Sequence, residues 1–398
     1  MASADGEHRD LPAVGIVRHA YYPDGHVRRD AESLAQAGYD VTVVALRRPG
    51  QPRRETLNGV RVYRMPLAHC RGSAWRYVWE YAAFLVLAFL TLTLLHLRRP
   101  FRVVEVDNMP DVLVFSALVP KLAGARVILY IFDNMPELLM VTRRRGPRHP
   151  LVRLLACLEV LSARFADRVI VARGVAEHKV CVVLNCPDEA VFPLGGRREA
   201  AARSDYFEIV THGAILERYG IHVLLDALPA IAAAVPEVRV QVFGEGEYRP
   251  VLEERARRNG VADRVRFRGL APLDELLAGL AGAEVGYVGM LCDLMLSNKL
   301  IEYVALGVPV VAARWLTYEH YYPDDSVTYY RPGDPAGVAA AVLAVYHDPQ
   351  GARARAERAA ALYARYRWTV QRELYLGIYS ALSAAAHERS PRQAMREG

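Results

Sequence analysis

The run Ser297-Asn298-Lys299-Leu300-Ile301-Glu302 places a helix-capping hydroxyl, a single ammonium and a carboxylate within two helical turns. A helix opening at Ser297 leaves backbone N–H groups and the positive end of its dipole pointing outward, an arrangement that binds phosphate. Lys299 adds a compact charge at the same point. The chain has 50 basic residues but only three lysines (Lys121, Lys179, Lys299), and it is rich in alanine. The simplest account is a GC-rich coding sequence that writes arginine by default. Arginine abundance is then weak evidence for nucleic acid, and none is read as a partner. Glu302 lies four residues beyond Asn298 on the same helical face, where a carboxylate can accept from both hydroxyls of a ribose. The plainer reading makes Ser297 a cap and Lys299–Glu302 an exposed i,i+3 ion pair. A capping box needs Glu or Gln at position 300, which is Leu300, so capping does not account for Glu302.

The elements around this run follow from periodicity. Lys299–Leu306 reads as helix, Gly307 as its stop and Pro309–Ala313 as a strand. Short apolar runs alternate with amphipathic stretches along most of the chain, the pattern of parallel sheets wrapped in helices. Strands are predicted at Val14–Val17, Asp40–Leu46, Val60–Arg64, Val103–Val106, Arg126–Ile131 and Arg168–Val171. Helices fall at Arg28–Ala37, Asp111–Leu122 and Leu151–Ala166. After a Pro- and Gly-bearing linker at Val191–Asp205 the alternation resumes. The second set of strands is Phe207–Thr211, Arg239–Phe243, Val265–Arg268, Val285–Val288 and Pro309–Ala313, with helices at Ile221–Ala234, Glu247–Asn259, Pro272–Ala281 and Lys299–Leu306. Two α/β domains follow, set at 1–197 and 198–370. Ala352–Ala386 reads as one or two amphipathic helices, and residues 371–398 are set apart as a C-terminal helix with a polar tail from His387. In such sheets ligands bind beyond the carboxyl ends of the strands, and a cleft between domains suits a substrate.

Composition sets the outer bounds. With 398 residues, 53% hydrophobic and 24% charged, the chain can bury two cores. Five cysteines, at 70, 157, 181, 186 and 292, form neither a Cys-x-x-Cys pair nor a metal-ligand spacing, which fits a reducing compartment. No cleavable signal is read at the N-terminus. The net charge of +6 permits attraction to anionic membranes or phosphorylated substrates. Tyr81–Leu97 carries no formal charge, with Trp75, Tyr77 and Trp79 before it and Arg98-Arg99 after it. It sits at the short end of membrane-spanning length. Strands of one sheet are predicted on both sides, so a helix buried in the domain or lying in a membrane interface is the expectation, with peripheral contact through 75–99.

Five ordered stretches resemble glycosyltransferase family 4, the retaining group with the GT-B fold. Ser297-Asn298-Lys299-Leu300-Ile301-Glu302-Tyr303 before Gly307-Val308-Pro309-Val310-Val311 resembles its nucleotide-sugar motif. Phe243-Gly244-Glu245-Gly246 resembles the Gly-x-Gly turn of its donor domain. Thr211-His212-Gly213 through Arg218-Tyr219-Gly220 resembles the first donor-domain loop, whose basic residue contacts the diphosphate. Val180–Pro193 resembles the end of the acceptor domain, and Tyr21–Arg29, with Gly25, the loop after strand one. The resemblance implies two Rossmann-like doubly wound domains facing a central cleft, with a C-terminal helix crossing back. It implies donor binding by Gly25, Gly213, Arg218, Gly244, Asp293, Ser297, Asn298, Lys299 and Glu302, and sugar transfer from a nucleotide diphosphate sugar to a glycan, lipid-linked or small-molecule acceptor. No cofactor or metal is implied, and the setting is cytoplasmic, peripheral at the inner face of the plasma membrane when membrane-bound.

The sequence departs from that pattern in places. The family often carries an acidic residue eight positions before the ribose glutamate; here that position is Leu294, and Asp293 is off by one. Relatives often have His-Asp where this chain has Phe132-Asp133, so no histidine role carries over. Asp133 and Glu137 follow a predicted strand and are candidates to orient the acceptor hydroxyl, with Lys299 as the third catalytic candidate; Asp133 also reads as a simple cap. Glu105 and Asp107 share one strand face and read as an exposed strand-end pair rather than a metal motif. No Asp-x-Asp occurs, which disfavours the metal-dependent single-domain class. Ala172–Lys179 is too short for an ordinary parallel crossover, which needs about 10–12 residues. Either the strands beside it are not parallel neighbours or that domain is remodelled. A non-catalytic member of a glycan-assembly complex and a nucleotide-sugar epimerase are the alternative readings.

Overall fold

A computed structural model describes residues 11–23, 25–67, 74–170, 179–195 and 205–387. The chain forms two compact units. One comprises the chain up to Leu184 together with the chain from Gln371 onward, and the other is Asn185–Val370.

The first unit is built on eight strands: β1 (Ala13–Tyr21), β2 (Asp40–Leu46), β3 (Arg54–Leu57), β4 (Val60–Met65), β5 (Val103–Asp107), β6 (Arg126–Tyr130), β7 (Arg168–Ile170) and β8 (Val180–Cys181). Their order is β3-β4-β2-β1-β5-β6-β7-β8. All neighbours are parallel except β3 and β4. Every residue of β2 and β5 is buried, as happens when both faces of a parallel sheet are covered, and Glu105 and Asp107 are buried with the apolar residues. The helices are α1 (Gly25–Gln36), α2 (Ala74–Arg98), α3 (Leu118–Leu122), α4 (Met135–Thr142) and α5 (Pro150–Phe165).

Three sequence expectations change here. Strand β3 was missed, although Asn58-Gly59 between it and β4 is a strong hairpin signal; both residues take positive φ (49° and 81°), as a two-residue turn between twisted strands requires. The helix expected over Asp111–Leu122 is a 3-10 helix at Asp111–Ala117 continued by the short α3. Strands β7 and β8 are parallel neighbours, pairing Val169 with Val180 and Ile170 with Cys181. The first alternative for the short Ala172–Lys179 connection therefore fails, and residues 171–178 lie outside those described, as does most of the Val191–Asp205 linker.

The second unit carries β9 (Phe207–His212), β10 (Val238–Phe243), β11 (Val265–Gly269), β12 (Val285–Val288), β13 (Val310–Ala313) and β14 (Thr328–Tyr330), the last not foreseen. The sheet order is β11-β10-β9-β12-β13-β14 and all pairs are parallel. Its helices are α6 (Ile221–Ala234), α7 (Arg249–Arg258), α8 (Leu273–Gly282), α9 (Asn298–Leu306), α10 (Leu316–Tyr321), α11 (Pro335–His347) and α12 (Pro349–Tyr363). The order reverses at β9–β12, so the carboxyl ends of these two strands flank a switch point, the place where α/β sheets take ligands.

The last helix, α13 (Trp368–His387), belongs to the first unit from Gln371 onward. The Tyr375 and Tyr379 hydroxyls, four residues apart, both donate to the Glu105 carboxylate at 2.9–3.2 Å. Glu105 and Asp107 are therefore not an exposed strand-end pair; both are only 1% exposed. Burial raises Glu105 well above the usual carboxylate range, with Asp107 and Asp30 adding to the effect.

Candidate functional site

Three loops build the site of the second unit. The loop after β9 crosses the turn after β10: Gly213 N donates to Phe243 O at 2.9 Å and Ile215 N to Glu245 O at 3.0 Å. Only glycine fits where they touch. A Cβ on Gly244 would stand 2.0 Å from Gly213 O, and Gly244 has φ of +119°. The same loop is tied to the end of β12, with Leu291 N donating to Arg218 O at 2.9 Å and Tyr287 Oη to Gly220 O at 3.0 Å. A Cβ on Gly220 would lie 1.9 Å from Gly289 O. These approaches fix Arg218 beside the segment that leads into α9.

Helix α9 supplies the other half. Ser297 occupies the cap position with extended backbone (φ −67°, ψ 127°), but its side chain makes no cap bond. The sequence expectation of a hydroxyl cap fails, and the first-turn N–H groups are left for an anion. Gly307 ends the helix in the left-handed region, as expected. The Lys299 ammonium lies 3.9 Å from the centre of the Tyr219 ring, and the Arg218 guanidinium 5.0 Å from it. Lys299 also lies against Gly213, whose added Cβ would meet Lys299 Cε and Nζ at 3.3 Å. Among the described residues neither cation forms an ion pair with a carboxylate, and Arg218 Nε is buried without a hydrogen-bond partner. Burial pushes the Lys299 pKa down to about 8; Arg218 lowers it further and Glu302 opposes. Two cations without an ion-pair partner among the described residues thus stand at an open helix N-terminus, where the backbone dipole adds to their positive field.

The Lys299–Glu302 ion pair of the plainer reading does not form. Glu302 Oε2 instead meets His212 Nε2, and His212 Nδ1 meets Tyr303 Oη at 2.9 Å. Tyr303 Oη in turn donates to Val210 O at 3.3 Å. Glu302 is thus held by a buried histidine–tyrosine relay, while its Oε1 accepts no hydrogen bond among the described residues. Asn298 is exposed, its Oδ1 3.5 Å from Asn185 Nδ2. Asp293 turns toward α10, accepting from Thr317 N at 3.4 Å. Reasoning on sequence missed His212, Tyr219 and Tyr303. A histidine closing a buried strand just before a glycine was the available signal for the first.

In the first unit Gly25 opens α1. Asn134, not Asp133, caps α4, its Oδ1 accepting from Glu137 N at 3.0 Å. Asn108 clamps this region: its Nδ2 donates to Asp111 Oδ1 at 3.0 Å and to Asp133 O at 2.5 Å, and its Oδ1 accepts from Phe132 N at 3.0 Å. The position read as lacking a histidine has one beside it. The His26 ring lies against Phe132 at a 34° tilt with centroids 3.7 Å apart, and its Nε2 meets Arg18. Arg18 pairs with Asp107 at 3.2 Å. Asp107 Oδ1 is buried without a partner among the described residues, and burial pushes its carboxyl up to about 7 against the pull of Arg18. His26, Arg18 and Asp107 thus form a second polar cluster, packed on the Phe132 ring toward the carboxyl ends of β1, β5 and β6.

Two doubly wound sheets, one bearing a cationic helix N-terminus after its fourth strand, define the class of GT-B proteins. The chain matches the family model for the glycosyl transferase 4-like domain over residues 25–186 and that for glycosyl transferases group 1 over 207–348. It belongs to the group 1 glycosyltransferases, family 4. It is 28% identical over 244 residues to the glycogen synthase of Mycobacterium tuberculosis, covering 61% of this chain and 58% of that protein. It is 28% identical over 169 residues to the phosphatidyl-myo-inositol mannosyltransferase of Mycolicibacterium smegmatis, covering 42% and 43%. The chain thus matches about half the length of these curated relatives. Among solved structures, Anabaena Alr3699/HepE in complex with UDP-glucose superposes with a TM-score of 0.69 at 16% identity, covering 93% of this chain and 99% of that one.

Proposed function

We propose that this protein transfers a sugar from a nucleotide diphosphate sugar to an acceptor hydroxyl, with retained anomeric configuration. The observation that carries the reading is the pair Arg218 and Lys299 gathered on Tyr219, with no carboxylate partner, at the open N-terminus of α9. A diphosphate is the dianionic group such a site fits, and the charge that grows on it as the glycosidic bond breaks is what the two cations stabilise. They supply this without a metal ion. Backbone N–H groups at Ser297 and Asn298 cradle the phosphates. Gly213 and Gly244 let the backbone come close to the ligand. Glu302, oriented by His212, accepts from the ribose hydroxyls. Asp293 stands nearest the expected sugar contact in sequence. The relatives' names support the donor class: one is a glycogen synthase, another a mannosyltransferase, and the Anabaena structure holds UDP-glucose.

The acceptor is assigned to the first unit, with Asp133 and Glu137 as its contacts. Asp107 joins them because its buried Oδ1 lacks a partner among the described residues. The acceptor class is a glycan, a lipid-linked glycan or a small molecule. Four described cysteines are free thiols, which suits the cytoplasmic setting proposed for the chain. The deciding experiment screens nucleotide diphosphate sugars for thermal stabilisation, then assays transfer with the donor that stabilises. Stabilisation by one donor, abolished in Lys299→Ala with Arg218→Ala, is expected. No shift with any donor ends the proposal.

A further inference from the structure

Helix α2 has two unlike apolar edges. Glu80, Phe84, Ala88, Leu92 and His96 recur every fourth residue and are buried; Phe84, Ala88 and Leu92 are fully so, inside the core of the first unit. Glu80 Oε1 lies 3.0 Å from His19 Nε2 there. The opposite edge is bare. Trp75 is 82% exposed, Trp79 75%, Leu94 55% and Leu97 71%, with Val86 and Leu90 between them. The helix is long and apolar enough to cross a membrane by length and composition, yet its inner edge is sealed into a core of strands from the same unit. It therefore lies along a surface instead of passing through one.

We infer that the outer edge of α2 docks this protein on an anionic lipid bilayer, the helix axis parallel to the membrane plane. Three features select a bilayer over a protein partner. Between residues 82 and 97 the outer edge offers only aliphatic side chains, whereas protein interfaces mix an apolar centre with a polar rim. The two tryptophans cluster at one end, where an indole can place its ring among acyl chains and its N–H among head groups. Charge is the third. Among the described residues the only acidic side chain of α2 is the inward Glu80, while Arg76 and Arg98 are exposed at its two ends. Arginine at both ends and none between is the pattern that lets a helix sink its apolar edge while its guanidinium groups reach lipid phosphates. Elsewhere in the first unit, the loop between α4 and α5 carries exposed Arg143, Arg145 and Arg148.

The inference deepens the proposed function by giving a lipid-linked acceptor a place to be met, but docking itself does not depend on transfer. The full chain is floated with vesicles of phosphatidylcholine alone and of phosphatidylcholine with phosphatidylglycerol. Flotation with the anionic vesicles, reduced by salt, is expected. Trp75→Ser with Trp79→Ser should abolish it. Arg76→Gln and Arg98→Gln should each weaken partitioning about fivefold. These side chains are exposed, so the melting temperature and its shift with a nucleotide sugar should not change, and that shift tests the donor reading separately. A wild-type chain that stays unbound overturns the inference. So does a tryptophan variant that still floats, or one whose only change is dissociation of a dimer.

Discussion

Lys299 holds its ammonium 3.9 Å above the centre of the Tyr219 ring, with no carboxylate paired to it among the described residues. Cation–π contact offsets part of the desolvation cost of such a charge but leaves its field directed outward. The pKa of about 8 makes this testable. Donor affinity, measured by calorimetry, should fall as pH rises through about 8 and the ammonium is lost. Stability of the unliganded protein should move the other way. The folded pKa lies below the usual 10.5, so between those values the unfolded chain binds more protons and stability rises with pH. An affinity flat from pH 7 to 9.5 would remove Lys299 from the diphosphate.

Glu302→Ala should weaken donor binding by roughly 1.5–3 kcal/mol, the range for hydrogen bonds to a charged group. His212→Ala should cost less, about 1 kcal/mol, because it frees the carboxylate to move without deleting it. The double variant should lose less than the sum, since His212 acts through Glu302. Additive losses would assign His212 a direct contact of its own. Binding of the matching nucleoside diphosphate without sugar should show the same pattern.

Gly244→Ala tests the interlocked loops. Its Cβ would stand 2.0 Å from Gly213 O at a φ of +119°, and left-handed strain alone costs about 1–3 kcal/mol. A loss of about 3 kcal/mol is expected, along with weaker donor binding as Gly213 is displaced from Lys299. Gly282→Ala, where a Cβ meets nothing within 4 Å, is the control and should be nearly silent.

Asp107 carries a raised pKa of about 7. A carboxyl raised in the folded state holds its proton longer than in the unfolded chain, so stability is lost as pH climbs from about 4 through 7. Asp107→Asn should flatten that slope in melting experiments across this window. Glu159, also pushed up to about 7 by burial and by Asp111 and Glu137, will keep part of it. If Asp107 orients the acceptor, the same variant lowers kcat and leaves donor binding unchanged. An unchanged kcat would confine Asp107 to a structural pairing with Arg18.

Local order was legible from the sequence because it is local chemistry. Strand β2 matches its predicted Asp40–Leu46, and β12 its Val285–Val288, since a fully buried parallel strand is a short, mainly apolar run. Helix α9 and its Gly307 stop follow from a capping position, an apolar periodicity and a residue free to take positive φ. The same chemistry placed Lys299 and Glu302 at the opening of one helix.

Partners distant in sequence were decided only by the tertiary structure. Glu302 meets His212, 90 residues away, rather than Lys299 three residues away. Tyr375 and Tyr379 turn Glu105 from an exposed acid into a buried one, from 270 and 274 residues away. His26 reaches Phe132 from helix α1 and brings a histidine where the local sequence has none. Helix α2 reads as apolar on every side in sequence, and only packing distinguishes Phe84 from Leu90. The reason is common to all four. Periodicity states which side chains share a face, but what covers that face is fixed by how the sheet brings remote segments together.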